Sequence, residues 1–179
     1  LPIASLTKLM TARVVLENPE IYDPSRIVFV SAVAAGQPDA PVSGNLFFGE
    51  VRTVKELLDL MLFYSSNDAA YALAELMGES EFVSKMNRVA AEIGLSDTEF
   101  FNSTGLDLDD GRANYSTARD LLALSKNILE FYPEIFTITK TPEFYRTQNG
   151  IFDFALWEGQ TLAGGKTGYT EKAGGCMIA

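Results

Sequence analysis

The chain has 179 residues, 47% of them hydrophobic and 21% charged, with a formal net charge of −10. That composition suits one globular domain with a sizeable core, and the acidic balance argues against nucleic acid or an anionic membrane surface as a partner, since both would repel it. There is no histidine and a single cysteine, Cys176, which excludes imidazole-based triads, histidine metal sites and an internal disulfide and leaves the chemistry to Ser, Lys, Tyr and carboxylates.

In chain order, apolar residues at helical spacing predict a helix over 6–17, ending before Asn18-Pro19 because the residue before proline disfavours helix. Residues 26–33 are β-branched and read as a strand, followed by a turn-rich loop up to Gly49. Thr53 and Glu56 have the spacing of a capping box and open a helix through about residue 63. Two more helices are predicted over about 68–77 and 81–93, stopped by Gly78 and Gly94. A turn-rich stretch, 104–114, precedes a helix over about 117–131 that closes before Pro133. Short strands are predicted at 143–146, 151–157, 164–167 and 175–178. No apolar run approaches membrane-spanning length and no signal-peptide pattern is present. Leu1 lies four residues before Ser5, and the chain stops in apolar residues, so both ends read as cut.

Ser5-Leu6-Thr7-Lys8 places a hydroxyl and an amine on one face of a helix start, within hydrogen-bond reach. A serine becomes a nucleophile when a neighbouring base takes its proton. Lysine serves as that base when desolvation or a second cation lowers its pKa, so another Lys or Arg is expected nearby. A Ser-x-x-Lys arises by chance on the order of once in a chain of this length, and alone it would read as a capping serine beside a solvated lysine. Lys166-Thr167-Gly168 is rarer, in a glycine-rich strand that a ligand backbone can approach closely. Lys166 is the candidate second cation. Of three Ser-x-Asn triplets, Ser125-Lys126-Asn127 lies mid-helix, where its ends diverge, and Ser43-Gly44-Asn45 reads as a turn. Ser65-Ser66-Asn67, a polar hinge between two apolar helices, is the one placed to face a cleft.

In this order the three elements resemble the penicillin-binding, penicilloyl-serine-transferase superfamily. Residues 3–12, Ser65-Ser66-Asn67-Asp68-Ala69-Ala70, 101–107, 115–121 and 165–170 are similar to the low-molecular-mass D-alanyl-D-alanine carboxypeptidases. The resemblance implies an α+β fold, a helical subdomain plus an antiparallel sheet flanked by helices, with outer strands of that sheet missing here. Residues 1–179 would then be a single, truncated, transpeptidase-like catalytic domain. It further implies that Ser5 attacks the penultimate D-Ala carbonyl of a peptidoglycan stem peptide, with Lys8 as base and Ser65 relaying protons to the leaving amine. Asn67 would bond the substrate amide, and Lys166 and Thr167 would hold the terminal carboxylate. The strand carrying Gly168 and Tyr169 would pair with the substrate backbone, and the N–H groups of Ser5 and Tyr169 would form the oxyanion hole. No metal or cofactor is implied. β-Lactams would acylate Ser5, the protein would act on the cell-wall side of the cytoplasmic membrane, and any membrane anchor would lie outside this chain. Ser66 stands where relatives often have Gly, and Asn114, read as structural, where many have His.

Three rivals share these features. A D,D-endopeptidase would use the same scaffold. A class A β-lactamase needs a glutamate for deacylation, and the nearest, Glu99, is expected at the surface. A penicillin sensor would acylate without turnover. Cys176 and the aromatic residues, Trp157 and the phenylalanines, are expected to be core. Asp107, Asp109 and Asp110 read as a solvated turn, because they lack the EF-hand spacing.

Overall fold

The computed structural model describes residues 1–38, 44–140 and 164–179. At its centre is helix α1 (Thr7–Glu17), reached through a 3-10 turn at Ala4–Leu6. Every residue of α1 from Thr7 to Val15 is buried. The spacing predicted one apolar face, but α1 is packed round by α2 (Val54–Phe63), α3 (Asn67–Glu75), α4 (Glu79–Glu92) and α6 (Glu134–Ile138), so its polar residues must find partners inside. Thr11 donates to Ser103 O at 2.7 Å, and Arg13 to Asn127 Oδ1 at 2.7 Å.

The capping box of α2 is present as read, with Thr53 and Glu56 each bonding the other's backbone N–H. Helix α5 (Ala118–Phe131) buries Leu124 and Ile128, and Thr117 caps it by accepting from Asp120 N. Pro133 does more than stop α5. It caps the short helix α6, absent from the sequence reading, because a fixed φ and a missing N–H both suit a helix start.

Among the described residues two antiparallel strand pairs accompany the helices, which makes the fold α+β as expected. In the first, β1 (Ile27–Phe29) pairs with β2 (Val51–Thr53), Phe29 opposite Val51. The strand expected over 26–33 ends early because Ser31 accepts from Ala34 N and starts a 3-10 turn. In the second, β3 (Lys166–Thr170) pairs with β4 (Gly174–Ile178), Lys166 opposite Ile178 and Tyr169 opposite Gly175. The strands predicted at 143–146 and 151–157, with Trp157, lie outside the described residues. Phe82, Phe100 and Phe136 are core as expected, but Phe29, Phe47, Phe48 and Phe131 are exposed, the first three on or beside the β1–β2 hairpin. No helix among the described residues is long and apolar enough to cross a membrane.

Candidate active site

Three separate stretches of chain meet around Lys8. The first is the 3-10 turn before α1. Ala4 has φ +45°, a conformation that costs a non-glycine residue about 1–3 kcal/mol and concentrates at functional sites. Its consequence is to lift Ser5 out of the buried turn, leaving it partly exposed between Ala4 and Leu6. One turn later, Lys8 is wholly buried at 0% exposure. Its Nζ lies 3.0 Å from Ser5 Oγ.

The second stretch is the hinge between α2 and α3. Ser65 has φ +64°, and it and Ala4 are the only described non-glycine residues with positive φ. Ser66 caps α3 by accepting from Ala69 N at 3.1 Å and donates to Gly44 O at 2.7 Å. The turn thereby delivers two side chains inward. Asn67 Oδ1 accepts from Lys8 at 2.6 Å, while its Nδ2 donates to Pro38 O. Ser65 Oγ accepts instead from Lys166 Nζ, at 2.8 Å. Asp68 stands behind the hinge with Oδ2 accepting from Leu46 N at 2.8 Å. Burial raises its carboxyl above the usual range, and that bond pulls it partly back.

The third stretch is β3. Lys166 is also 0% exposed and bonds Thr167 O at 2.9 Å besides Ser65. A Cβ at Gly168 would sit 2.9 Å from both Ser5 N and Cys176 Sγ, so only glycine lets this strand run against the Ser5 backbone. Tyr169 follows with its ring exposed. β4 covers one edge of β3 and no described strand covers the other. Cys176 lies behind, half-buried, its single S–H within reach of Ile3 O and Gly168 O, with Sγ 3.3 Å from each. Burial pushes its thiol up, against a smaller opposing pull from Lys166.

The eight residues singled out in the sequence therefore lie on these three stretches, in two lysine–serine pairs, Lys8 with Ser5 and Lys166 with Ser65. What sequence reasoning missed is a further contact of Lys8. Thr104 O accepts from Lys8 Nζ at 2.7 Å. It sits in the 101–114 loop, read from the sequence as turns over 104–114 and as part of the family resemblance over 101–107, with no role assigned to Thr104. Asp107, read as a solvated turn residue, accepts from Thr170 Oγ1 at 3.2 Å and ties this loop to the end of β3. Glu99 is exposed and accepts from Tyr115 OH. Among the described residues no cluster of carboxylate and thiol groups could hold a metal ion. Asn127, in the rejected mid-helix triplet, bonds Arg13, and Ser43 of the other rejected triplet lies outside the described residues.

A family model described as D-alanyl-D-alanine carboxypeptidase matches residues 1–179. The chain is 37% identical to D-alanyl-D-alanine carboxypeptidase DacF of Bacillus subtilis, over 98% of this chain and 46% of that protein. It is 33% identical to a D-alanyl-D-alanine endopeptidase of Pseudomonas aeruginosa, over 99% of this chain and 58% of that protein. The chain thus spans about half the length of the curated relatives it matches. Among solved structures, a D-alanyl-D-alanine carboxypeptidase of Mycobacterium tuberculosis superposes with a TM-score of 0.80 at 31% identity, covering 98% of this chain and 67% of that one. Penicillin-binding protein D2 of Listeria monocytogenes, in its cefotaxime-bound form, gives 0.78 at 32% identity, covering 98% and 72%. The fold is that of the penicillin-binding proteins, and the chain belongs to the D-alanyl-D-alanine carboxypeptidase family.

Proposed function

We propose that residues 1–179 form a single catalytic domain, part of a serine D-Ala-D-Ala carboxypeptidase that removes the terminal D-Ala of peptidoglycan stem peptides through a Ser5 acyl-enzyme. The observation that carries this is the set of neighbours around Lys8 Nζ. Asn67 Oδ1 and Thr104 O can only accept. A neutral amine has two N–H bonds and one lone pair. With N–H bonds given to those oxygens, the same nitrogen lies 3.0 Å from Ser5 Oγ, close enough for its lone pair to take the Ser5 proton and make the hydroxyl nucleophilic.

In the reaction the Ser5 proton passes to Lys8 as Oγ bonds to the penultimate D-Ala carbonyl carbon. The oxyanion is held by the N–H groups of Ser5 and Tyr169, which the close approach of Gly168 to Ser5 supports. The carbon–nitrogen bond then breaks, and the leaving amine takes a proton through Ser65. Lys166, bonded to Ser65 at 2.8 Å, and Thr167 take the terminal carboxylate. The edge of β3 that no described strand covers receives the substrate backbone. Asn67 anchors Lys8 and reaches a substrate amide by exchanging the Pro38 carbonyl on Nδ2. Water finally cleaves the ester. β-Lactams would be held by the same groups and leave a stable adduct. The substrate places this chemistry on the cell-wall side of the cytoplasmic membrane.

Two measurements test the reading. Mass spectrometry after penicillin treatment of the full-length protein should place the adduct on the peptide carrying Ser5 and find none in Ser5→Ala. D-Ala should be released from a stem-pentapeptide mimic. Acylation without release would identify a sensor, and rapid antibiotic turnover a β-lactamase. Because a relative at 33% identity is named an endopeptidase, a crosslinked peptide belongs in the same assay. Faster cleavage of it than of the pentapeptide would favour that activity.

A further inference from the structure

The two turns that frame Lys8 are joined through one buried side chain outside the lysine–serine pairs. Asn114 is 1% exposed and lies at the end of the 101–114 loop. Its Oδ1 accepts from Phe101 N at 2.7 Å and Asn102 N at 3.2 Å. Its Nδ2 donates to Asn102 O and to Thr7 Oγ1, both at 2.9 Å. Its own carbonyl accepts from Ile3 N at 3.1 Å. Asn114 therefore holds both sides of the nucleophile turn, Ile3 before Ser5 and Thr7 after it, and also the start of the turn that carries Thr104. Downstream, Asn102 Oδ1 accepts from Gly105 N at 2.7 Å and Thr104 N at 3.2 Å, which fixes the direction of the Thr104 carbonyl. Glu79 accepts from Ser103 N and Oγ at 3.0 Å, and Thr11 bonds Ser103 O.

The geometry points to Asn114 as a positioning residue that sets the register between the Ser5–Lys8 turn and the Thr104 carbonyl, and so the direction of the Lys8 lone pair. This rests on the reading of Ser5 and Lys8 as nucleophile and base. If the Thr104 carbonyl swings away, Lys8 Nζ loses that anchor and its alignment with the Ser5 hydroxyl. Substrate contacts on β3 stay where they are. Asn114 thus acts on the rate of the acylation step and not on binding.

The test separates those two quantities. Pre-steady-state acylation of the full-length protein by penicillin yields the limiting acylation rate and the dissociation constant of the preceding non-covalent complex. Asn114→Ala should lower the limiting rate by on the order of 100-fold, the cost of misplacing a reacting group by about an ångström, with the dissociation constant unchanged within about twofold. Thr7→Val removes a single acceptor of Asn114 within an isosteric side chain, which keeps the test alive if the alanine variant does not fold, and should lower the same rate about fivefold. Ile128→Ala, a core truncation in α5, is the control for general destabilisation and should leave the rate near wild type while lowering the melting temperature. A folded Asn114→Ala or Thr7→Val protein with the wild-type limiting rate would overturn the inference, and so would equal losses in the control. Absence of any Ser5 adduct in the wild type would instead overturn the nucleophile assignment itself.

Discussion

Two segments close on Lys8, the 63–67 hinge and the 101–114 loop, and each gives it one oxygen at nearly the same distance, 2.6 Å from Asn67 and 2.7 Å from Thr104. The hinge supplies a side-chain oxygen and the loop a backbone one. The hinge consequently depends on residue identity at the contact itself. In the loop any residue could provide the carbonyl, and identity matters one step back, at Asn102, Gly105 and Asn114, which decide where it points. Function written in side chains can be found by inspection; function written in backbone has to be found through its supports.

The sharpest way to break this comparison is at Gly105, which has φ +90° and would place a Cβ 2.1 Å from Ala4 O and 3.0 Å from Thr7 Oγ1. Neither backbone can retreat without moving Ser5 or Thr104. Gly105→Ala should therefore cost about 3 kcal/mol or more of stability, from left-handed strain and a backbone clash together, and acylation should fail in whatever remains folded. Urea unfolding monitored by circular dichroism measures the first part. A loss below about 1 kcal/mol would show that the two turns are not braced against each other.

Next in size is the contrast between the two oxygens. Asn67→Ala deletes its oxygen and should slow acylation by about 100-fold, roughly 2.7 kcal/mol of transition-state stabilisation. Thr104→Ala keeps its carbonyl and should slow it no more than about fivefold. Equal losses would mean that the threonine hydroxyl carries the effect. A smaller effect falls on the hinge alone. Ser66→Ala removes the cap on Ala69 N and the bond to Gly44 O, and should lower stability by about 1–2 kcal/mol in the same urea experiment.

The same contrast accounts for what the sequence made legible. Ser5, Lys8, Ser65, Asn67 and Lys166 stand out because a hydroxyl, amine or amide is itself the chemistry, and helix and strand spacing show which of them share a face. The α2 capping box was readable for the same reason: Thr53 and Glu56 are both the signal and the device. Thr104 stood within the 101–107 motif without a role, since its carbonyl is shared with every residue. Asn114 could be noticed but only as a structural position, because its partners, Thr7 and the 101–102 backbone, are distant or anonymous in sequence. β2 was hidden by its length, three residues running straight into a helix, and α6 by a proline that ends one helix and caps another. The exposed Phe29, Phe47 and Phe48 defeated the core expectation because composition cannot distinguish an aromatic in a hairpin from one in a core.

Glu79 offers the finest test of the loop's wiring, with the smallest expected effect. It opens α4, is half-buried, and accepts from Ser103 N and Oγ. Burial raises its carboxyl above the usual range, the Ser103 bonds pull it back in part, and the charge of Glu75 adds to the rise; Tyr22 and Tyr71 are the other titratable groups that feel it. A raised carboxyl binds its proton more tightly in the folded chain than in the unfolded one, so stability falls as pH climbs from the unfolded value, about 4.3, through the folded one. The stabilising share is complete below that window and gone above it. Glu79→Gln keeps the shape and an acceptor for Ser103 N without the titration. The difference in urea midpoint between wild type and Glu79→Gln should therefore drift with rising pH across the weakly acidic range, the wild type losing ground to the variant. Asp68, raised by burial in the same direction on the hinge side, titrates in both proteins and cancels from that difference. A pH-independent difference would show that Glu79 holds Ser103 as a carboxylate with no net penalty for its burial, and the loop would then be braced by charge as well as by shape.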